Sequence, residues 1–427
     1  MNRRTFLLGA GGGLVAAGAN DRVNVGVIGA RGRGRDLISI YGALPGSRVA
    51  AVCDIDQAQR ERAVALTEKV QGSKPKTYSD LRRLFEDKDI DAVAIATANH
   101  WHALATIWAV QAGKDVYCEK PASHNVWEGR KMVEAARKYN RIVQVGLQSR
   151  SQGHKRLAIE LLQQGVIGKV YMARGLCFKR RPSIGKQPDG PVPPGVDYDL
   201  WLGPAPMRPF NPNRFHYNWH WFWDTGNGDI GNQGAHEIDI CRWGLNKNTL
   251  PRTVFSAGAK YIYDDDQETP NTQIAIFQYD DCQIVFEVRG LLTGTEEGIT
   301  ETPNHIGNIF YGSDGYLSID VNGFEIRRGE KKELVRKEKF MEPTRWDTRP
   351  HVENFLQAVR SRKQSDLHAD IEEGHLSAAL CHLANISYRT GRKLTFDPAT
   401  ERFVGDNEAN RLLTRNYRKP YVVPDKV

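Results

Sequence analysis

No two cysteines in this chain stand in a CxxC spacing. The six (Cys53, Cys118, Cys177, Cys241, Cys282, Cys381) are scattered, several within apolar runs, and read as buried free thiols, not as a zinc ribbon or redox dithiol. No stretch approaches the roughly 18 consecutive apolar residues of a membrane-spanning helix, so no membrane span is expected. Long blocks of like charge are also missing. The net charge is +8, but Lys179-Arg180-Arg181 and the RRGEKKELVRKEK stretch (327–339) are interleaved with acids or aromatics. That pattern fits solvated strand faces better than a nucleic-acid groove. There is no Ser-His-Asp arrangement, no Gly-Lys-Ser/Thr phosphate loop, and no His/Cys/Asp set at metal-ligand spacing. Serine hydrolysis, P-loop chemistry and metal catalysis therefore lack their residues, and no metal is expected.

What is present is enough apolar residue, 40% of 427, for two cores. The N-terminus MNRRTFLLGAGGGLVAAGAN combines a twin arginine, a Gly/Ala-rich apolar segment and a small-residue site at Ala17-Gly18-Ala19. This predicts a twin-arginine export signal over residues 1–19 and a periplasmic or otherwise extracytoplasmic destination. Export by that route follows folding in a reducing compartment, which argues against an obligatory disulfide framework.

From Val23 to about Gly146, short apolar runs (VNVGVIG, RVAAVCD, AVAIAT, DVYCE, RIVQVG) alternate with amphipathic segments of helical length. That alternation predicts a Rossmann dinucleotide-binding α/β domain over 20–147. Beyond it, longer alternating runs predict a C-terminal α+β domain over 148–395. Its large open sheet is expected to be mostly antiparallel, with flanking helices around 153–164, 349–361 and 370–390. Residues 396–427 read as a polar tail. The Pro/Gly-rich segment 186–215 is long for a connection, and loops of that length are usually functional.

The stretch VGVIGARGRGRDL (25–37) ends a strand and opens a helix, the context in which backbone amides hold a pyrophosphate. Gly29, Arg31, Gly32, Arg33 and Gly34 form the expected turn, with Arg31 standing where the second glycine of GxGxxG belongs. Asp54 closes the next strand at the position expected for a ribose-binding acid. Ile55 follows it in place of an arginine for a 2′-phosphate, so NAD is favoured over NADP.

Asn99 and His102 at the mouth of one strand, then Glu119-Lys120-Pro121 closing the next, resemble the glucose-fructose oxidoreductase, inositol dehydrogenase and rhizopine-catabolism (Gfo/Idh/MocA) family. HVENFLQAVRSRK (351–363) and EGHLSAALCHLANISYRTGRKL (373–394) are similar to its closing helices. The resemblance implies an NAD-dependent oxidoreductase acting on a carbohydrate hydroxyl, with Lys120 stabilising the alkoxide, and a cis peptide before Pro121. It places Asn99, His102, Glu119 and Pro121 beside the cofactor.

It also implies a glycine-rich loop with Asp-x-x-x-His, whose histidine takes the hydroxyl proton. In GDIGNQGAHEIDI (228–240), His236 holds that place, but Asn232 stands where the acid belongs. An amide orients a hydroxyl without adding negative charge, so it does not raise the basicity of the imidazole. Asp239 is a replacement partner only if its helix turns it inward; otherwise it is a helix-start acid.

The preceding FHYNWHWFWDTGN (215–227) concentrates amphipathic rings. Tyr217, His220, Trp221 and Trp223 are either sugar-stacking residues or an aromatic plug between domains. Gln148 and Arg150 either enter the cleft or pack the domains together. Two enzyme readings remain: an oxidoreductase of a sugar or polyol with tightly retained cofactor, and an NAD-dependent glycoside hydrolase using transient oxidation. Cofactor binding without turnover is the third. The resemblance further implies a homodimer or homotetramer built through the C-terminal sheet.

Overall fold

The computed structural model describes residues 22–292, 305–340 and 347–427, so the expected export signal lies outside the described residues. The first unit alternates β1 (Val23–Ile28), α1 (Gly32–Ala43), β2 (Ser47–Cys53), α2 (Gln57–Gln71), β3 (Lys76–Tyr78), α3 (Leu81–Glu86), β4 (Ala92–Ile95), α4 (His102–Gln111), β5 (Asp115–Cys118), α5 (Val126–Lys138) and β6 (Val143–Val145). Its strands lie in the order β3-β2-β1-β4-β5-β6 and all pair in parallel. This is the doubly wound dinucleotide-binding order, in which the chain reverses direction between β1 and β4 and opens a crevice at the strands' carboxyl ends. Val25, Val27, Ala92, Val93 and Val116 are fully buried, as expected where helices cover both faces of a parallel sheet.

The second unit begins with α6 (Gly153–Gln163) and β7 (Val170–Phe178), followed by α7 (Tyr198–Leu202), α8 (Gly228–Asn232) and α9 (Gly234–Gly244). Seven strands follow: β8 (Thr253–Ala259), β9 (Thr272–Gln278), β10 (Gln283–Arg289), β11 (His305–Gly312), β12 (Gly315–Asp320), β13 (Gly323–Arg328) and β14 (Glu333–Lys339). After them come α10 (Arg349–Ser361), α11 (Ile371–Thr390), β15 (Leu394–Asp397), β16 (Arg402–Phe403) and α12 (Asn407–Arg411). The sheet runs β14-β13-β12-β11-β7-β10-β9-β8-β15-β16. It is antiparallel except where β7 pairs with β10 in parallel. The core of this unit lies between one sheet face and the helices, joining Phe277, Phe286 and Phe310 to Ile238, Leu380 and Leu383.

Several late segments return to the first unit. Val352, Phe355 and Leu356 of α10 join the core beneath α1, and Tyr421, Val423 and Val427 join the core on the other face of the parallel sheet. The stretch 396–427 is thus not a free polar tail. Ion pairs tie it down, Arg415 to Glu128 at 3.0 Å and Arg418 to Asp199 at 2.5 Å. The Tyr421 ring meets Trp101 edge-on at 5.5 Å between centroids. The late segments therefore brace the walls of the crevice.

Candidate active site

The crevice is a cleft of about 760 Å³ running from the β1–α1 turn to the start of the second unit. At one end Gly29 has φ +85°, a conformation glycine adopts without strain. A Cβ at Gly34 would stand 1.8 Å from the Gly29 carbonyl oxygen, so only glycine lets α1 begin this close to the strand. Arg31 is different. Its backbone is extended (φ −99°, ψ 173°) just before α1, so the position needs no glycine. Its side chain is exposed on the wall of the cleft. Arg33 turns away to Glu119, donating at 2.7 Å to Oε1, which links the α1 turn to the end of β5.

Asp54, at the end of β2, accepts the Ala30 amide at 2.6 Å and the Asp56 amide at 3.0 Å while lining the cleft. Burial raises its carboxyl above the usual range, opposed by those two amides. The fit to NAD is direct: a turn with no room for side chains at Gly29 and Gly34, a carboxylate at the end of β2, and Ile55 next to it on the cleft wall. Gln148, also lining the cleft, has a buried Oε1 without a hydrogen-bond partner among the described residues. We expect Asp54→Ala to weaken NAD about 10- to 100-fold, the loss of hydrogen bonds to a charged group. Nucleotide titration followed by tryptophan fluorescence measures it, and an unchanged affinity would place the ribose elsewhere.

At the other end, the Lys120–Pro121 bond is cis. Lys120 Nζ donates to the Asn232 carbonyl at 2.5 Å and lies 3.3 Å from its Oδ1. Burial pulls this ammonium down to about 8; Glu119 opposes that, and Lys179 and Arg33 reinforce it. His102 fastens the turn, with Nδ1 at 2.8 Å from the Pro121 carbonyl and Nε2 at 3.1 Å from that of Thr97.

His236, on α9 one turn beyond Asn232, is buried just outside the cleft lining. Its Nδ1 has no hydrogen-bond partner among the described residues. Burial first, then the charges of Lys120, Lys155, Arg33 and Lys179, depress its pKa well below the ordinary imidazole value. That depression favours the neutral ring, the form that accepts a proton.

The remaining expected residues divide by the contacts they make. Tyr217 and His220 line the cleft. So do His216 and Trp219 of the same segment; His220 stacks on Trp219 at 3.6 Å between centroids, and His216 Nε2 lies 3.0 Å from Asp56. Trp221 and Trp223 do not line it: they pack under Arg181 and Arg389, 5.1 and 5.2 Å from the respective ring centroids. The aromatic segment is therefore part cleft wall and part packing within the second unit.

Arg150 and Asp239, expected at the substrate, face each other away from the cleft. Arg150 Nε lies 2.8 Å from Asp239 Oδ2, and Ser377 donates to the same carboxylate at 2.7 Å. This buried pair ties the segment after β6 to α9 and commits the carboxylate to Arg150 and Ser377, not to His236. Asn99 does not line the cleft: its Nδ2 donates to the Asn227 side chain, and its buried Oδ1 has no hydrogen-bond partner among the described residues. Sequence reasoning did not find Leu200 and Trp201, which roof the cleft from the long 186–215 segment. That segment's length was the available signal. It is seated by backbone bonds from Gln57 N to Gly195 O (3.0 Å) and from Asp197 N to Ile55 O (3.1 Å).

A parallel dinucleotide fold with an ammonium at the far end of its cleft and an imidazole buried one turn beyond Asn232 defines a nicotinamide-dependent oxidoreductase. Residues 23–147 match the family described as "Oxidoreductase family, NAD-binding Rossmann fold", and residues 179–423 match "Oxidoreductase family, C-terminal alpha/beta domain". The chain belongs to the Gfo/Idh/MocA oxidoreductase family, and its cofactor is NAD.

Among curated relatives it is 26% identical over 292 residues to an inositol 2-dehydrogenase of Salmonella typhimurium, covering 66% of this chain and 74% of the relative. It is 31% identical over 166 residues to a glycosyl hydrolase family 109 protein of Saccharopolyspora erythraea, covering 38% of this chain and 36% of that relative. Solved structures that share the fold include the following two. A levoglucosan dehydrogenase in complex with NADH and levoglucosan has a TM-score of 0.68 at 17% identity, covering 88% of this chain and 99% of that one. The WlbA dehydrogenase of Bordetella pertussis, in complex with NADH and UDP-GlcNAcA, has a TM-score of 0.63 at 20% identity, with the same coverage.

Proposed function

We infer that the protein oxidises, or in reverse reduces, a hydroxyl-bearing carbon of a sugar or polyol, using NAD held between Gly29 and Asp54 at one end and Lys120 at the other. The observation that carries this is the Lys120 ammonium fixed at 2.5 Å on the Asn232 carbonyl, one helical turn from a neutral His236. Bound NAD supplies the hydride acceptor. Lys120 orients the hydroxyl and stabilises the negative oxygen that develops on it. His236 takes the hydroxyl proton, for which a neutral imidazole is the required state. Asn232 holds the lysine and orients the substrate through its amide, with no added charge. Inositol 2-dehydrogenase and levoglucosan dehydrogenase among the similar proteins support the substrate class.

The glycosyl hydrolase family 109 relative supports a second reading in the same cleft, in which oxidation is transient and net hydrolysis results. A panel of sugars, polyols and aryl glycosides mixed with NAD-loaded protein separates the two. Lasting nicotinamide reduction by a sugar or polyol is the expected result. Phenol release without accumulation of reduced cofactor would replace it with the hydrolase, and no change in either signal would remove both. The roof over the cofactor, Leu200, Trp201, His216 and Trp219, supports slow exchange of the dinucleotide. That property suits an exported enzyme, the destination the twin arginine suggests. Exposed Phe255 and Ile274 on the open face of the large sheet support assembly of two or four copies.

A further inference from the structure

One ring of the aromatic segment at the reacting end has its protonation set by a neighbour. His220 Nδ1 lies 2.6 Å from the Tyr217 carbonyl oxygen. A carbonyl oxygen only accepts, so Nδ1 carries the proton and, in the neutral ring, Nε2 carries the lone pair. Burial pulls the pKa of this imidazole down to about 3; the Tyr217 carbonyl opposes that, and the charge of Lys120 reinforces it. One face of the ring is taken by Trp219, stacked at 3.6 Å between centroids. His220 therefore offers the cleft an edge with an acceptor on it, not a platform for a sugar to stack on.

The same segment is held beside the reacting groups. The 3-10 turn Asn218–Trp221, which carries His220, packs on α8, and the carbonyl of Asn232 at the end of α8 takes the Lys120 ammonium. Arg181 ties the two parts together, pairing with Asp229 of α8 at 2.6 Å and donating to the Tyr217 hydroxyl at 3.3 Å. His220, Lys120 and Asn232 all line the one cleft. The His220 Nε2 makes no hydrogen bond among the described residues, so its lone pair is open to a donor in that cleft. A ligand that displaces water from this acceptor without replacing its hydrogen bond binds less well.

We propose that His220 determines substrate specificity: its Nε2 accepts a hydrogen bond from a second hydroxyl of the sugar or polyol, distinct from the one that Lys120 holds, so the substrate must carry a free hydroxyl at that position. This rests on the oxidoreductase reading for the hydroxyl held by Lys120, but the binding can be read without turnover. The experiment is titration calorimetry of the NADH-loaded protein with glucose, myo-inositol and their singly deoxygenated and singly fluorinated analogues. In the wild type, removing the hydroxyl at the His220 position is expected to weaken binding about 10- to 100-fold, the cost of leaving a desolvated acceptor unpaired. Fluorine there should not restore it, because it cannot donate. In His220→Phe, which keeps a ring on Trp219 but has no acceptor, that penalty is expected to vanish, while His220→Gln keeps part of it. Fluorescence of bound NADH checks that each variant retains its cleft, and the wild-type series needs no variant.

Equal affinity for parent and analogue at every position in the wild type, a fluorine that restores binding, or penalties that all persist in His220→Phe overturn the proposal. If one position depends on His220 yet no sugar or polyol of the series reduces bound NAD, the contact stands and the oxidoreductase reading fails.

Discussion

Lys120→Met is expected to lower kcat by about 10²- to 10³-fold, the cost of removing a preorganised donor aimed at a developing oxyanion. The fold should survive, because the lost contacts are one hydrogen bond to the Asn232 carbonyl and a long approach to its amide. The pH profile carries a second signature. The Lys120 ammonium is pulled down to about 8, chiefly by burial. A group with a lowered pKa loses its charge as pH rises through that value, so kcat/KM of the free enzyme should hold at neutral pH and fall above about 8. Asn232→Asp places a carboxylate beside the ammonium, favours its charged form, and should move that limb to higher pH. A rate insensitive to Lys120→Met, or a limb that stays in place in Asn232→Asp, would remove the lysine from the chemistry.

His236→Gln should reduce kcat by about 10²- to 10⁴-fold, the usual contribution of a positioned general base. This substitution is informative because the imidazole supports little else. Its Nδ1 bonds to nothing among the described residues, and Asp239, which a helix-period argument offers as its partner, is taken by Arg150 and Ser377. Affinity for NADH, read by fluorescence, should be nearly unchanged while turnover collapses. Equal losses in both would mean that His236 holds the cleft together and does not act on the proton.

The parallel sheet was readable from sequence because its strands are continuous apolar runs between amphipathic helices, and buried α/β sheets impose that pattern. Its edge strand β3 escaped notice for the opposite reason. Lys76-Thr77-Tyr78 is short and largely exposed, with no run to detect. Strand β11 shows no clean alternation, because HIGNIFYG buries Gly307 and Asn308 among apolar residues, and the Asn308 amide donates to the Glu237 carbonyl inside the core.

The site divided in the same way. Gly29, Asp54, Lys120 and His236 sit at strand ends and helix starts, where short spacing determines their place. Arg150 and Asp239 are 89 positions apart, and only the packing of α9 against the segment that follows β6 brings them together, so spacing could not reveal that they satisfy each other. The closing segment 396–427 reads as a tail because its sequence is polar. Arg415, Arg418 and Tyr421 give it order through partners more than 200 residues away.

The central claim is that hydride leaves a substrate carbon for NAD in a cleft whose oxygen-side groups are Lys120 and His236. The most direct test is rapid mixing of the NAD-loaded protein with a sugar or polyol from the panel that reduces the cofactor, unlabelled and deuterated at the carbon to be oxidised. The account predicts a single-turnover rise in reduced-nicotinamide absorbance that is slowed by deuterium in the wild type and nearly abolished in Lys120→Met and His236→Gln. A rise of equal speed with both isotopes and all three proteins, or no rise in the wild type, would contradict it.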